Sequence, residues 1–181
     1  MRTRPVSGVM LKLRVGERYV FPHVPQPLFT LIYCTKITDA VHANGSYIFL
    51  QLGALGRTAD PTILRQEGDF DLVAPSPISF NNNVARGLTV TEIKEYVQLF
   101  SKAASNAIKA GFDGVELHAA NGYLLDQFLQ SVSNERMDDY GGSVDNRVRF
   151  PIEVIKAVVE AVGAERTAVR ISPWSTFQSE G

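Results

Sequence analysis

A chain of 181 residues with 45% hydrophobic and 20% charged residues has the make-up of a folded globular domain, not of a disordered or fibrous chain. Its formal net charge of -1 gives no electrostatic case for nucleic acid or an anionic membrane as a partner. The lone cysteine, Cys34, excludes an intrachain disulfide or a thiolate cluster for zinc or iron–sulfur, and fits a reducing compartment such as the cytoplasm.

Residues 1–34 read as a segment apart. Arg2, Arg4, Lys12, Arg14 and Arg18 fall close together with no acid before Glu17, yet the stretch lacks the amphipathic, serine-rich character of a targeting peptide. A short strand is expected around residues 9–15. The run YVFPHVPQPL (residues 19–28) sets three prolines among apolar residues, which argues against a regular element there. The longest apolar stretch, residues 27–34, is far short of the roughly 20 residues that cross a bilayer.

From Thr35 the pattern becomes regular. Ile37, Ala40 and Val41 lie at helical spacing, with Asn44 and Gly45 as the stop. SYIFLQL (residues 46–52) reads as a strand covered on both faces. A long polar connection follows, with APSPI (residues 74–78) in its middle. A helix is expected over residues 89–110, capped by Thr91, with Ile93, Val97, Phe100, Ala104 and Ile108 as its apolar face. A strand over 114–118, a loop region to Gly142, a helix over about 146–162 and a strand over 167–171 complete the series.

This alternation argues parallel βαβ units and an α/β fold with right-handed crossovers. Periodicity alone leaves a doubly wound sheet and a (β/α)8 barrel both open. No G-x-G-x-x-G follows a strand, which counts against a dinucleotide Rossmann fold. Gln51, His118 with Asn121, and Arg170 stand at the C-terminal ends of the three strands, where barrel enzymes keep their chemistry.

His118 and Asn121, three residues apart, share one face if a helical turn follows the strand. Two neutral donors then converge on one point, which suits a carbonyl or anionic oxygen. Tyr123 offers a phenol, a group type that titrates near pH ~10 and so keeps a proton to give to a transient carbanion. The same spacing is equally compatible with a strand-end His and Asn that satisfy loop carbonyls, and with Tyr123 packed under a helix. Arg170 interrupts an apolar strand, a costly place unless it is paired or faces an anion. It either neutralises a bound anion or forms an ion pair with Glu116 on the neighbouring strand. The Gln51 amide both gives and accepts hydrogen bonds, which suits the edge of a heterocycle.

The run GFDGVELHAANGYLLDQF (residues 111–128) resembles the central signature of the old yellow enzymes, and SNERMDDYGGSVDNRVRF (residues 133–150) is similar to the segment that follows it. SYIFLQL with Gly56 and Arg57, and VRISP (residues 169–173), match the flanking strands. The resemblance runs from residue 35 to 178. It implies a (β/α)8 barrel that binds FMN and uses NADPH to reduce the C=C bond of small α,β-unsaturated carbonyl compounds. Gln51 and Arg170 are then the flavin contacts, with Arg170 beside the reduced, anionic ring. His118 and Asn121 hold the substrate carbonyl oxygen, and Tyr123 protonates Cα. Arg136, Asp138, Tyr140 and Arg147 also match, as loop architecture or support for the cofactor face. With a single cysteine the chain falls with the FMN-only members, not those with a 4Fe–4S cluster.

Three departures set further expectations. Residues 1–34 show no resemblance where the first two barrel strands belong, beyond LKLRVG (residues 11–16). A barrel of this class takes about 250 residues and holds phosphate with the loops after strands seven and eight. The chain therefore corresponds to about strands 3 to 5 with their helices, an internal piece expected not to retain stoichiometric FMN on purification. The alternative to an ene-reductase is a truncated or mispredicted, catalytically inactive product that binds no FMN; a non-flavin aldolase or isomerase is disfavoured, since no Schiff-base lysine or metal cluster sits at a strand end. Gly53 stands where many fungal members carry the aromatic residue of Gln-Leu-Trp, which opens space beside the flavin.

Overall fold

The computed structural model describes residues 9–14 and 27–174. In chain order the elements are β1 (Val9–Arg14), α1 (Pro27–Ala43), β2 (Ile48–Gly53), α2 (Pro61–Gly68), four two-residue strands, α3 (Val90–Lys109), β7 (Gly114–Ala119), α4 (Leu124–Leu129), α5 (Val144–Arg147), α6 (Arg149–Val162) and β8 (Thr167–Ile171). The short strands are β3 (Val73–Ala74), β4 (Ser79–Phe80), β5 (Asn83–Val84) and β6 (Arg86–Gly87). The main sheet has four parallel strands in the order β1-β2-β7-β8. Two βαβ crossovers, β2–α3–β7 and β7–α6–β8, therefore build the α/β frame that the alternation implied.

One face of the sheet makes the core. Ile48, Leu50 and Leu52 of β2 and Val115, Leu117 and Ala119 of β7 are buried together with the inner sides of α3 and α6. Ile93, Val97, Phe100 and Ala104 of α3 recur at helical period on that side and are buried, as their spacing predicts; Ile108 is only half-buried and Ala107 takes its place. Phe150 of α6 meets Phe128 of α4 with ring centroids 4.6 Å apart. The strand face away from these helices carries the polar residues.

Several boundaries differ from expectation for identifiable reasons. The proline-rich run lies outside the described residues except for its last two, Pro27 and Leu28, which open α1, so this helix spans the expected division at residue 34. Proline fits there, because the first turn of a helix has no use for its missing N–H. In the described part of α1, Thr38 is buried and Cys34 and Val41 pack half-buried against the core, while Ile37 and Ala40 are exposed. The Thr38 hydroxyl donates to the Ala110 carbonyl at 2.8 Å, so a polar residue anchors the helix to the loop before β7. The polar connection contains α2, capped by Asp60, whose carboxylate accepts from Thr62 N at 2.7 Å, with Pro61 in the first turn. The expected helix over 146–162 divides into α5 and α6 at Val148.

The cap of α3 is Thr89, not Thr91. Thr89 Oγ1 accepts from Glu92 N at 3.2 Å, and the Glu92 carboxylate accepts from Thr89 N at 2.7 Å, a reciprocal capping box. Bonds from Arg86 first, and then from the Thr89 donors, outweigh partial burial and hold the Glu92 pKa at about 2. Thr89→Ala is expected to cost about 1 kcal/mol in a urea unfolding titration. Because the folded-state pKa of Glu92 is depressed, its contribution is complete above the unfolded value of ~4.3 and lost as pH falls towards 2. The same titration repeated at falling pH in the Glu92→Gln variant should lose that part of the slope.

At the N-terminal end of the sheet, Asp113 ties three elements. Its Oδ2 accepts from Ile48 N at 2.7 Å and pairs with His42 Nε2 of α1 at 3.0 Å. Partial burial opposes ionisation, but these two bonds prevail and lower the Asp113 pKa. Among the described residues, no helix is long and apolar enough to cross a membrane.

Candidate active site

The opposite, C-terminal edge gathers the polar side chains. Parallel register sets Gln51 of β2 beside Glu116 of β7, and His118 of β7 beside Arg170 of β8. Alternation along each strand puts these four side chains on the face away from α3 and α6. The hydrogen bonds agree: Gln51 Nε2 donates to Glu116 Oε1 at 2.5 Å and Arg170 Nε donates to the same oxygen at 2.8 Å. Gln51 is 3% exposed, and the Glu116 and Arg170 side chains are 13% and 51% exposed. Partial burial penalises the Glu116 carboxylate, yet the bonds from Arg170 and Gln51 hold its pKa below the ordinary range. The ion-pair alternative for Arg170 is thus the arrangement present. It does not exhaust either partner, since the guanidinium uses Nε and presents its terminal nitrogens elsewhere, and Gln51 keeps Oε1 as an acceptor.

His118 is nearly buried, with its ring 4.9 Å from the Tyr123 ring, at an interplanar angle of 45°. Tyr123 occupies the N-cap position of α4, half-buried, so it neither lies under that helix nor caps it with its side chain. Between the two, Asn121 (φ 58°) and Gly122 (φ 74°) form a left-handed turn. Neighbours hold this turn from several sides. Asn121 N donates to Ser172 Oγ at 2.7 Å, Gly122 N donates to Asp126 Oδ2 at 2.9 Å, and Gly122 O accepts from Gln127 Nε2 at 2.7 Å.

Gln127 is fully buried and also reaches the loop after β2. Its Nε2 donates to Leu55 O at 3.0 Å and its Oε1 accepts from Arg57 N at 3.2 Å. Gly56 (φ 60°) lies so close to this amide that a Cβ there would collide with Gln127 Oε1. Beside Gly53, a Cβ would stand 3.2 Å from the His118 Cβ, so the end of β2 is closely backed by the histidine.

The sequence points to Gln51, His118, Asn121, Tyr123 and Arg170, and the fold brings all five to the same edge. From the sequence Glu116 stands out only as an ion-pair partner, and Asp126, Gln127 and Ser172 do not stand out at all. Gln127 had a signal: an amide in the apolar run LLDQFL of a short helix requires internal partners. Arg136, Asp138, Tyr140 and Arg147 make bonds within their own loop and to its neighbours. Arg136 donates to Pro75 O, Leu88 O and Asp138, Tyr140 OH donates to Glu153, and Arg147 donates to Leu129 O and Gly142 O. Among the described residues no group of His, Cys, Asp and Glu is placed to hold a metal ion.

A sequence model of the NADH:flavin oxidoreductase / NADH oxidase family matches residues 32–181. The chain belongs to that family. It is 57% identical over 145 residues to a chanoclavine-I aldehyde reductase of Penicillium roqueforti, covering 79% of this chain and 39% of the relative. It is 50% identical over 149 residues to a protein of Epichloe festucae var. lolii named a "probable inactive reductase", covering 81% and 39%. Among solved structures, an old yellow enzyme from Pichia sp. matches with a TM-score of 0.81 at 45% identity, covering 84% of this chain and 42% of that one. Morphinone reductase in complex with tetrahydroNAD matches with a TM-score of 0.80 at 35% identity, covering 84% and 46%. The chain therefore spans about two fifths of the length of the curated relatives it matches. The fold is the expected α/β type, part of a (β/α)8 barrel, and β1 stands in it as a fourth strand parallel to β2.

Proposed function

We propose that residues 35–181 supply the substrate side and part of the flavin-ring side of an FMN- and NADPH-dependent reductase of α,β-unsaturated carbonyl compounds, working in the cytoplasm. The observation that carries this reading is the shared edge, where Gln51, Glu116 and Arg170 form one hydrogen-bonded row beside His118 and Tyr123. The donor set fits a flavin. An acceptor, Gln51 Oε1, next to cationic donors on Arg170 complements a ring edge that carries an N–H beside a carbonyl. Arg170 also sets a positive charge where the reduced ring is anionic.

Held at its ring edge by Gln51 and Arg170, FMN would supply hydride transfer between NADPH and the β-carbon of the substrate. The protein does the rest. His118 and Asn121 donate to the substrate carbonyl oxygen, so negative charge gathers there as the hydride arrives. Tyr123, against the His118 ring, gives its phenol proton to the α-carbon. His118 is nearly buried, so water has little access to its donor.

Titration of the protein with FMN, followed by anaerobic reduction with NADPH and mixing with cyclohexenone, tests the reading. Weak flavin binding, reached at high protein concentration and not retained stoichiometrically on purification, and reoxidation by the enone are expected. Absence of flavin binding, or flavin binding without reoxidation, would favour the non-catalytic reading, which the Epichloe relative's name brings into consideration. His118→Ala is expected to weaken binding of a phenol to the FMN-loaded protein by about 1.5–3 kcal/mol, roughly ten- to a hundredfold in Kd, read from the visible band shift.

A further inference from the structure

We propose that Glu116 is a positioning and charge-setting residue for the bound flavin, tempering the Arg170 charge and so lowering the flavin's reduction potential. The inference rests on the flavin reading above and goes beyond it, because Glu116 touches neither substrate nor ring in that scheme. Both ring-facing side chains are fixed by a single carboxylate oxygen, Glu116 Oε1, at 2.5 Å from Gln51 Nε2 and 2.8 Å from Arg170 Nε. These bonds select which atoms are left to face a ligand: the Gln51 carbonyl and the terminal nitrogens of Arg170.

The carboxylate also carries a charge. Its side chain is only 13% exposed, so water screens it far less than a surface acid. Its pKa is lowered, with the Arg170 and Gln51 bonds overcoming the penalty of burial, so it is ionised at neutral pH. Two-electron reduction takes FMN plus two electrons and one proton to the anionic reduced form, with the electrons supplied by NADPH or, in a titration, by dithionite. Arg170 favours that added negative charge and Glu116 opposes it. The pair therefore sets a potential between those of a bare cation and a neutral pocket.

Glu116→Gln isolates the charge, because the amide oxygen still accepts from Arg170 and Gln51. FMN is held at saturating protein and its midpoint potential is read by dithionite titration against a reference dye. The variant is expected to favour reduced over oxidised FMN about tenfold more than the wild type, an upward shift of ~30 mV for a two-electron couple. Arg170→Gln, run beside it, should shift the potential downward. If the glutamine variant does not fold, Glu116→Ala should move the potential in the same upward direction. An unchanged or lowered potential in the Glu116 variants, with the Arg170 response intact, overturns the inference and leaves the flavin reading standing. Absence of FMN binding to the wild-type protein, or no response to Arg170→Gln, overturns the flavin reading and this inference with it.

Discussion

Tyr123→Phe is expected to slow reduction of an enone by about 10²–10⁴-fold while leaving reduction of the flavin by NADPH unchanged. The change deletes one oxygen and keeps the ring, so the contact with His118 at 4.9 Å and the N-cap backbone of α4 both persist. Only the proton delivered to the α-carbon is lost. Stopped-flow measurement of the two half-reactions separates the outcomes. Equal slowing of both would show that the residue shapes the pocket and is not the acid, and no slowing of either would assign the proton to another group.

Arg136→Met is expected to destabilise the fold by on the order of 3 kcal/mol in urea unfolding, the largest effect on stability among these substitutions. The Arg136 side chain is 10% exposed and works as a bracket. Its Nη1 donates to Pro75 O at 2.9 Å and to Leu88 O at 2.5 Å, while Nε and Nη2 form a fork on the Asp138 carboxylate. Methionine fills similar volume but leaves two carbonyls of buried residues, Pro75 and Leu88, without this donor. Asp138 is 39% exposed, so water takes over much of its half of the pair and the loss falls mainly on the carbonyls. Arg136→Lys should recover only part of the loss, because an ammonium cannot reproduce the planar fork. A loss within a few tenths of a kcal/mol would mean that the loop over residues 131–142 holds itself without this side chain.

The elements that were legible in the sequence are those where burial has one direction. Residues 48–52 and 114–118 lie between a helical layer and a polar mouth, and their runs of apolar residues broken by Gln51, Glu116 and His118 record that sandwich directly. Helix α3 is legible by its period, but its cap is Thr89, paired with Glu92 at capping-box spacing, and not the expected Thr91. What escaped was local or non-local in a way that periodicity does not carry. Helix α2 is largely exposed, so it has a weak apolar stripe, and only Asp60 and Pro61 announce it. The buried Thr38 of α1 has its partner in the carbonyl of Ala110, 72 residues away. Ser172 follows a strand as an ordinary loop residue and gains its meaning from Asn121, 51 residues earlier. Within the site, side chains aimed at a ligand were easier to find than the ones that aim them.

The buried amide of Gln127 spends its bonds on Leu55 and Arg57 in one loop and on Gly122 in another. The two loops are thereby locked to a common template, and neither can gain or lose a residue without leaving part of that amide unmatched in the interior. Diversification of this mouth is confined to exchanging side chains on a frame of fixed length. Gly53, where the backbone already meets His118, is a position at which such an exchange would be felt at once.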